Sequence, residues 1–247
     1  MSEPAAVTLA LRAEQAEHQG RILPLHEEPL IRFDNVWRYW GRGAKRWAVL
    51  REVSLQLAPG TAVSIGGANG AGKTTLLRIA TGILAPDSGT VSLDGITPRD
   101  SWREYHRRIG FLSAGDRGLY NRLSVRGHLN FWVKLAFVPR PERRSAVNEA
   151  LTRFGLEDLA KRRTERLSQG QRQRLRLALT LVHRPQVLLL DEPRNSLDEE
   201  GLEILSSGVG DVLARGGVVI WCSPAGEEQP IGFDRSLLIE DGRLVPA

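Results

Sequence analysis

Residues 66–75 read Gly-Gly-Ala-Asn-Gly-Ala-Gly-Lys-Thr-Thr, and this stretch constrains the fold more than any other part of the chain. It follows a short apolar run at residues 62–65, which predicts a strand, and precedes an apolar helix that begins at Leu76. In this setting the pattern Gly-x-x-x-x-Gly-Lys-Thr indicates a loop that binds phosphate. Its glycines let consecutive backbone N–H groups turn toward phosphate oxygens at the start of a helix, where the helix dipole also favours negative charge.

The predicted nucleotide-binding residues of this loop are Gly67, Ala68, Asn69, Gly70, Ala71, Gly72, Lys73, Thr74 and Thr75. Lys73 is suited to reach the β- and γ-phosphates, and the Thr74 hydroxyl is suited to bind Mg²⁺. A second apolar strand, predicted at residues 187–190, is followed by Asp191 and Glu192. Asp191 is suited to hold Mg²⁺ through its water shell, and Glu192 to orient or deprotonate an attacking water. Acidic residues often end strands, so this pair becomes a strong signal only together with the loop.

Composition and charge narrow the class of protein. The chain has 247 residues, of which 41% are hydrophobic and 26% charged, as in an ordinary soluble globular protein. No apolar run approaches the ~20 residues of a membrane span, and no signal peptide is expected. The net charge of +5 is scattered along the chain, so we expect no nucleic-acid partner. The single cysteine, Cys222, excludes an internal disulfide, fits a reducing cytosol and is expected to be a buried structural thiol.

The composition and periodicity of the sequence divide the chain into a tail and one domain. Residues 1–29 are polar and lack steady periodicity, so we predict a flexible tail before a single domain over residues 30–247. Apolar strands alternate with helices in residues 30–112 and 164–247, which predicts an α/β core with a mostly parallel sheet covered on both faces. Residues 113–163 are predicted to form a loop region and an inserted helical subdomain.

Within the core, the predicted strands are residues 30–33, 53–57, 62–65, 89–93, 108–112, 187–190 and 218–222, and the predicted helices are residues 73–82, 168–182 and 199–214. A strand pair closes the chain around the turn Asp241-Gly242.

A third motif, Leu-Ser-Gln-Gly-Gln at residues 167–171, precedes a basic amphipathic helix. By itself it is a helix start with Ser168 as the N-cap. Together with the loop, with Asp191-Glu192 and with Asn195-Ser196-Leu197-Asp198, it makes the chain resemble the ATP-binding subunit of an ATP-binding cassette (ABC) transporter over residues 30–244. The resemblance implies a P-loop NTPase core, mostly parallel with an antiparallel β subdomain, and an inserted helical subdomain.

In that family two cassettes pack head to tail, and each ATP lies between the phosphate loop of one and the signature of the other. The resemblance therefore implies a homodimer, or a heterodimer with a second cassette chain, and the cofactors ATP and Mg²⁺. It implies that the partner-bound ATP is contacted by Ser168, Gln169, Gly170 and Gln171. Asp198 takes the place of the D-loop aspartate, and Trp40 that of the aromatic that stacks on adenine, with Tyr39 as the neighbouring candidate. Either aromatic is equally well explained as a packing residue.

The Arg-Leu-Ser-Val stretch at residues 122–125 and the short helical insertion most resemble the exporter branch, whose permease is a separate transmembrane chain. A peripheral position at the cytoplasmic face of the plasma (inner) membrane is implied. The groove that receives the permease would include Phe131, Trp132, Leu135 and Phe137. Aromatic residues on helices are more often part of a core.

Two residues of the family pattern are missing. The glutamine expected after strand 108–112 is replaced by Ala114 or Gly115, and the histidine expected after strand 218–222 is replaced by Ser223. Gln169 also stands where glycine is usual. With catalytic positions at Glu192, Lys73 and Ser223, we expect slow ATP hydrolysis, because losing one group that stabilises the transition state costs about 10²–10³ in turnover.

Three functions stay open at this point. The first is an ATPase that drives export through a permease. The second is a catalytically weak, nucleotide-gated structural subunit that works beside a more active cassette. The third is a soluble cassette ATPase that acts on nucleic acid or ribosomes, although such relatives usually carry two cassettes or long coiled-coil insertions.

Overall fold

The computed structural model of the protein describes residues 28–115, 118–227 and 231–247. The predicted flexible tail, residues 1–29, lies almost wholly outside these residues. The strands of the described part are β1 (Ile31–Trp40), β2 (Trp47–Leu57), β3 (Ala62–Gly66), β4 (Ser88–Leu93), β5 (Ile109–Leu112), β6 (Val187–Asp191), β7 (Val218–Cys222), β8 (Arg235–Glu240) and β9 (Arg243–Pro246).

Its α-helices are α1 (Lys73–Ala80), α2 (Trp102–His106), α3 (Val125–Leu135), α4 (Arg143–Arg153), α5 (Gln169–Leu181) and α6 (Glu199–Ala214). Short 3-10 turns lie at Gly43–Lys45, Thr164–Arg166 and Pro193–Ser196.

The central sheet has six strands in the order β5-β6-β7-β3-β8-β9. Its first five strands are parallel, and β9 returns antiparallel to β8 through the predicted Asp241-Gly242 turn. Every residue of β6 is buried, because side chains alternate between two apolar layers. Val187 and Leu189 join one hydrophobic core, whereas Leu188 and Leu190 join the other. The uninterrupted apolar strands in the sequence thus belong to a sheet covered on both faces.

One face of this sheet is covered by α1 and by a three-stranded antiparallel sheet of order β2-β1-β4. Ile31 pairs with Leu57 of β2 and with Leu93 of β4, and all three side chains are buried. The sequence pattern predicted β1 and β2 too short. Cross-strand pairing continues through Arg38 and Trp40 despite local irregularities in register, so both strands extend beyond the predicted bounds. A strand's length is set by its pairing partners as well as by its apolar run.

The other face is covered by α3, α4, α5 and α6, which share one hydrophobic core with it. Ser124 caps α3 by accepting a hydrogen bond from the Gly127 N–H at 3.1 Å. The fold class is confirmed: a mostly parallel P-loop NTPase sheet with an antiparallel β layer on one side and helices on the other. The division of the chain into core and helical subdomain stays a prediction.

Candidate active site

The predicted phosphate-binding loop, residues 67–74 and hereafter the phosphate loop, joins β3 to α1. Gly67, Gly70 and Gly72 all have positive φ angles, of 154°, 84° and 116°. At Gly72 a Cβ atom would lie 3.1 Å from the Val49 carbonyl oxygen, so only glycine fits without strain. No side chain caps the first turn of α1. Its N–H groups are therefore available to an anion, as the sequence pattern predicts.

Lys73 begins α1 and is only 4% exposed. Its ammonium group donates to the carbonyl oxygens of Gly67 at 2.7 Å and Ala68 at 3.2 Å. It also lies 3.3 Å from Glu192 Oε1. The lysine is thus held by its own loop and by the carboxylate that follows β6.

Thr74 and Asp191 form the second contact between the phosphate loop and β6. The Thr74 hydroxyl donates to Asp191 Oδ2 at 2.9 Å. Asp191 is 1% exposed, and its pKa is raised mainly by burial and further by the nearby Glu192 charge, while the bond from Thr74 opposes the rise. A hydroxyl and a single carboxylate are the donor set that Mg²⁺ takes when substrate phosphates supply other ligands.

Glu192 stands at the end of β6 in a left-handed conformation, with φ 47° and ψ 54°. Its N–H donates to the Cys222 carbonyl oxygen at 2.9 Å, which ties the turn to β7. Its second carboxylate oxygen, Oε2, accepts a hydrogen bond from Asn195 Nδ2 at 3.0 Å. From the sequence, Asn195 was expected to be part of the D-loop, and no contact between its side chain and Glu192 was predicted. The spacing of three residues was the signal that could have suggested the contact.

Two residues at the end of β7 complete this edge of the sheet. Ser223, which replaces the expected histidine, is 2% exposed, and its N–H donates to the Ile65 carbonyl oxygen at 3.2 Å. Cys222 is a free, fully buried cysteine, as predicted. Burial raises the pKa of its thiol well above the ordinary value.

A cavity of about 730 Å³ adjoins the phosphate loop, bounded by β2 and by the turn between β8 and β9. Trp47, the first residue of β2, lines this cavity and is 57% exposed. The predicted adenine-stacking candidates, Trp40 and Tyr39, are not among the lining residues. Guanidinium groups lie against both rings, with the Arg38 Cζ atom 4.8 Å from the Trp40 centroid and that of Arg46 4.0 Å from the Tyr39 centroid. Trp47 was missed because its position at the start of β2 is recognisable only once Trp40 is seen paired with it.

The predicted signature, residues 167–171 and hereafter the signature turn, starts α5. Ser168 is the N-cap, as expected, within a full capping box. Ser168 Oγ accepts the Gln171 N–H at 3.3 Å, and Gln171 Oε1 accepts the Ser168 N–H at 3.1 Å. Ser168 and Gln169 are exposed to solvent. The two bonds of this capping box are therefore made within the turn itself, and the Ser168 and Gln169 side chains remain accessible at the surface.

Asp198, the predicted D-loop residue, connects the signature turn to α6. Its Oδ1 accepts the Gly201 N–H at 2.9 Å as the N-cap of α6. A Cβ atom at Gly170 would lie 3.1 Å from Asp198 Oδ2, so the two segments are in close contact. The Asp198 N–H also donates to Gln173 Oε1 at 3.4 Å.

The structure brings four predicted site residues together: Lys73, Thr74, Asp191 and Glu192. It does not bring the signature turn to them within one chain. The phosphate-loop helix α1 packs into the core on one face of the sheet, whereas α5 packs into the core on the opposite face.

The remaining predicted positions lie on the helical side of the sheet. Phe131 and Leu135 of α3 are exposed, while Trp132 packs partly against the core. Phe137 lies under the Arg103 guanidinium, with the Cζ atom 5.3 Å from the ring centroid.

Ala114 and Gly115 follow Ser113 in the loop after β5, where the expected glutamine is missing. The buried Arg176 guanidinium of α5 donates to the carbonyl oxygen of the neighbouring Ser113.

Comparison with known proteins decides the family. Residues 50–195 match the family model for ABC transporters. The chain is 32% identical over 196 residues to the ABC transporter ATP-binding protein NatA of Bacillus subtilis, covering 79% of this chain and 80% of that protein. The chain belongs to the ABC transporter family. It is an ATP-binding cassette and an ATPase.

Other relatives extend the comparison. The methionine import ATP-binding protein MetN 1 of Bacillus thuringiensis is 37% identical over 175 residues, which cover 69% of this cassette and 51% of that protein. A dimeric structure of the ATP-binding cassette MJ0796 in a post-hydrolysis state, bound to ADP and Pi, superposes with a TM-score of 0.74 at 26% identity, covering 87% of this chain and 96% of that one. Within the residues that the structure describes, no helix is long and apolar enough to cross a membrane.

Proposed function

We propose that this cassette binds ATP at the phosphate loop, hydrolyses it with Glu192 as the catalytic carboxylate, and drives transport through a separate transmembrane permease. The observation that carries the proposal is the meeting of Lys73, Thr74, Asp191 and Glu192 at one edge of the sheet, beside an uncapped helix N-terminus. A triphosphate at this point would receive backbone N–H groups, an ammonium and a helix dipole together.

Binding of ATP changes the hydrogen-bond partners of Lys73. Lys73 leaves the carbonyl oxygens of Gly67 and Ala68 and donates to the β- and γ-phosphates instead. The same movement separates its ammonium from Glu192, whose Oε1 is then free to accept a proton from the attacking water. The water oxygen bonds to the γ-phosphorus as the bond to the ADP oxygen breaks, and the proton is held on Glu192.

Thr74 and Asp191 are the residues that would hold Mg²⁺. When bound, this ion would neutralise charge on the phosphate oxygens.

We propose that Trp47 stacks on the adenine base. A flat, exposed indole beside the phosphate loop offers the ring face that a base requires, and Trp47 lines the cavity that adjoins this loop. Trp40 remains the family-based candidate, and the two are separable by substitution because they lie on opposite strands of one pair.

The signature turn would complete the site of a second cassette. Its exposed Ser168 and Gln169 stand at the N-terminus of α5, a helix end that favours anions. Since α1 and α5 lie on opposite faces of the sheet, a head-to-tail pair is the arrangement that would bring one chain's turn to the other chain's ATP. The MJ0796 cassette, which is dimeric in its solved structure, supports this arrangement.

Export is the direction we propose, because residues 122–125 and the short helical segment resemble export cassettes. The cassette would lie against the cytoplasmic face of the plasma membrane, with Phe131 and Leu135 of α3 exposed toward a permease segment. The methionine import protein among the relatives serves the opposite direction. Inverted membrane vesicles distinguish the two, since an exporter accumulates substrate inside them when ATP is added outside.

The test of the ATPase assignment is a comparison of the purified wild type with Glu192→Gln. We expect both to bind ATP with Mg²⁺ with similar affinity, and the variant to lose about 10²–10³ in turnover. Glu165→Gln makes the same chemical change at an exposed glutamate outside the site and is expected to keep wild-type turnover. Equal turnover of the wild type and Glu192→Gln would contradict the assignment.

A catalytically weak, nucleotide-gated subunit is the second candidate. Ser223 is buried at the histidine position and carries no group that can become positively charged or shuttle a proton. The loop after β5 carries Ala114 and Gly115 in place of glutamine. If wild-type turnover equals that of Glu192→Gln while ATP still drives dimer formation, this second function holds.

A further inference from the structure

The turn after β6 holds Glu192 and Asn195 face to face. Residues Pro193–Ser196 form a 3-10 turn, and Glu192 is its N-cap. The Asn195 N–H donates to the Glu192 carbonyl oxygen at 3.2 Å, and Asn195 Nδ2 donates to Glu192 Oε2 at 3.0 Å. Asn195 thus fixes both the backbone and the carboxylate of the same residue.

The other carboxylate oxygen has a partner that ATP would remove. Glu192 Oε1 lies 3.3 Å from Lys73 Nζ, whose remaining hydrogen bonds go to the phosphate loop. Phosphate charge attracts this ammonium, so Lys73 would leave Glu192 at the moment when the carboxylate must act. A neutral amide has no comparable electrostatic drive to leave. The bond from Asn195 is therefore the contact that would survive nucleotide binding.

We propose that Asn195 is a positioning residue that holds the Glu192 carboxylate in orientation after Lys73 has turned to the phosphates. This inference rests on the proposed ATPase function of Glu192. Holding Oε2 leaves Oε1 directed to where Lys73 stood, beside the phosphate loop, and that is the oxygen able to accept the proton of the attacking water.

A purely structural role makes a different prediction. If Asn195 only stabilises the turn, its removal lowers stability and ATP affinity together, with no selective loss in kcat. Asn195 is exposed, so deleting its side chain leaves no buried donor or acceptor unpaired. A positioning role instead lowers kcat and leaves KM, ATP affinity and thermal stability unchanged.

The experiment measures kcat, KM and the ATP dissociation constant of the full-length chain and its Asn195 variants. We expect Asn195→Ala to lose about ten-fold in kcat, the effect of losing one hydrogen bond to a charged group, with ATP affinity unchanged. Asn195→Asp should lose more, because a second carboxylate would face Glu192. Asn195→Gln keeps an amide donor and should retain more turnover than Asn195→Ala. Asn121→Ala, which removes an exposed amide elsewhere, is the matched control.

A double-mutant cycle tests whether Asn195 acts through Glu192. In the Glu192→Gln background, with residual phosphate release followed over long incubations, Asn195→Ala should cause no further loss. Independent, multiplicative losses would overturn the inference, and so would equal kcat for Asn195→Ala and the wild type. If the wild type itself turns over no faster than Glu192→Gln, the proposed function and this inference fail together. If Glu192 matters and Asn195 does not, the inference alone fails.

Discussion

The phosphate loop and the signature turn both lie at helix N-termini suited to anions. Their side chains, however, have hydrogen-bond partners of opposite kinds: distant in the chain for the loop, and local for the turn. Around the phosphate loop, Lys73 and Thr74 are bound by residues up to 119 positions away along the chain, such as Glu192, and are largely shielded from water. In the signature turn, the side chains of Ser168 and Gln171 each accept a hydrogen bond from the other residue's N–H, three residues apart, at the surface. The difference supports the two proposals made above, that the phosphate loop binds nucleotide within one chain and that the signature turn serves a second chain.

Replacing Lys73 should produce the largest loss of ATP affinity. A small loss would contradict the view that the phosphate loop binds nucleotide within one chain. We expect Lys73→Ala to weaken ATP binding by the isolated chain by about 100-fold, because charged hydrogen bonds to the phosphates are lost. Titration with a fluorescent ATP analogue measures the dissociation constant. Lys161→Ala, at an exposed lysine, is the control and should bind as the wild type does.

A charge change in the signature turn should separate the two sites. Gln169→Glu places a negative charge at the first position of α5, where the helix dipole favours it, so thermal stability should rise slightly or stay unchanged. The same charge would repel a partner's phosphates, and we expect steady-state turnover to fall at least about ten-fold. ATP affinity measured at concentrations where the chain is monomeric should not change. A parallel loss of monomer affinity would show that the signature turn acts within its own chain.

Substitution of Trp47 and of Trp40 tests which of the two rings stacks on the adenine base. Trp47→Ala should weaken ATP binding about five-fold or more, the effect of one lost base-stacking contact. Trp40→Ala should leave the affinity nearly unchanged, because that ring is already in contact with Arg38 and does not line the cavity. Inorganic triphosphate should bind both variants and the wild type alike. The reverse order of effects would return the stacking role to Trp40.

Mild acid should distinguish the two faces of the sheet with the smallest effect. Burial lowers the pKa of His128 and of His183 below the ordinary 6.5, so the unfolded chain binds these protons more tightly than the folded chain. Their contribution to stability is complete above pH 6.5 and is lost as the pH falls toward the lowered values. His128 Nε2 accepts the Tyr120 N–H at 2.8 Å and loses that bond when protonated. Asp191 affects the pH dependence of stability in the opposite direction, because its raised pKa makes the folded state the stronger proton binder.

Hydrogen exchange at pH 7.5 and 5.5 measures this difference. We expect α3 and α5 to lose protection at the lower pH before α1 does. His128→Gln, which keeps an acceptor but does not titrate, should reduce the loss in α3. Faster loss of protection in α1 would reverse the comparison.

Several elements were predictable because their signals are local. The helix at residues 199–214 and the strand at residues 218–222 have the predicted bounds, and β6 extends its prediction only by Asp191. Periodicity, caps and apolar runs set such elements. The outer ends of β1 and β2 were predicted wrongly, because pairing between the two strands continues past the short apolar runs on which the prediction was based.

By itself, the sequence determined the α/β class, the phosphate loop, the carboxylate pair after β6 and the N-cap at Ser168, since each depends on residues close together in the chain. Tertiary structure alone decided that Lys73 contacts Glu192, that Trp47 lines the cavity and that α1 and α5 lie on opposite faces of the sheet. These outcomes depend on which strands pair and which faces pack. Pairing and packing are set by burial summed over the whole chain, and no single segment encodes them.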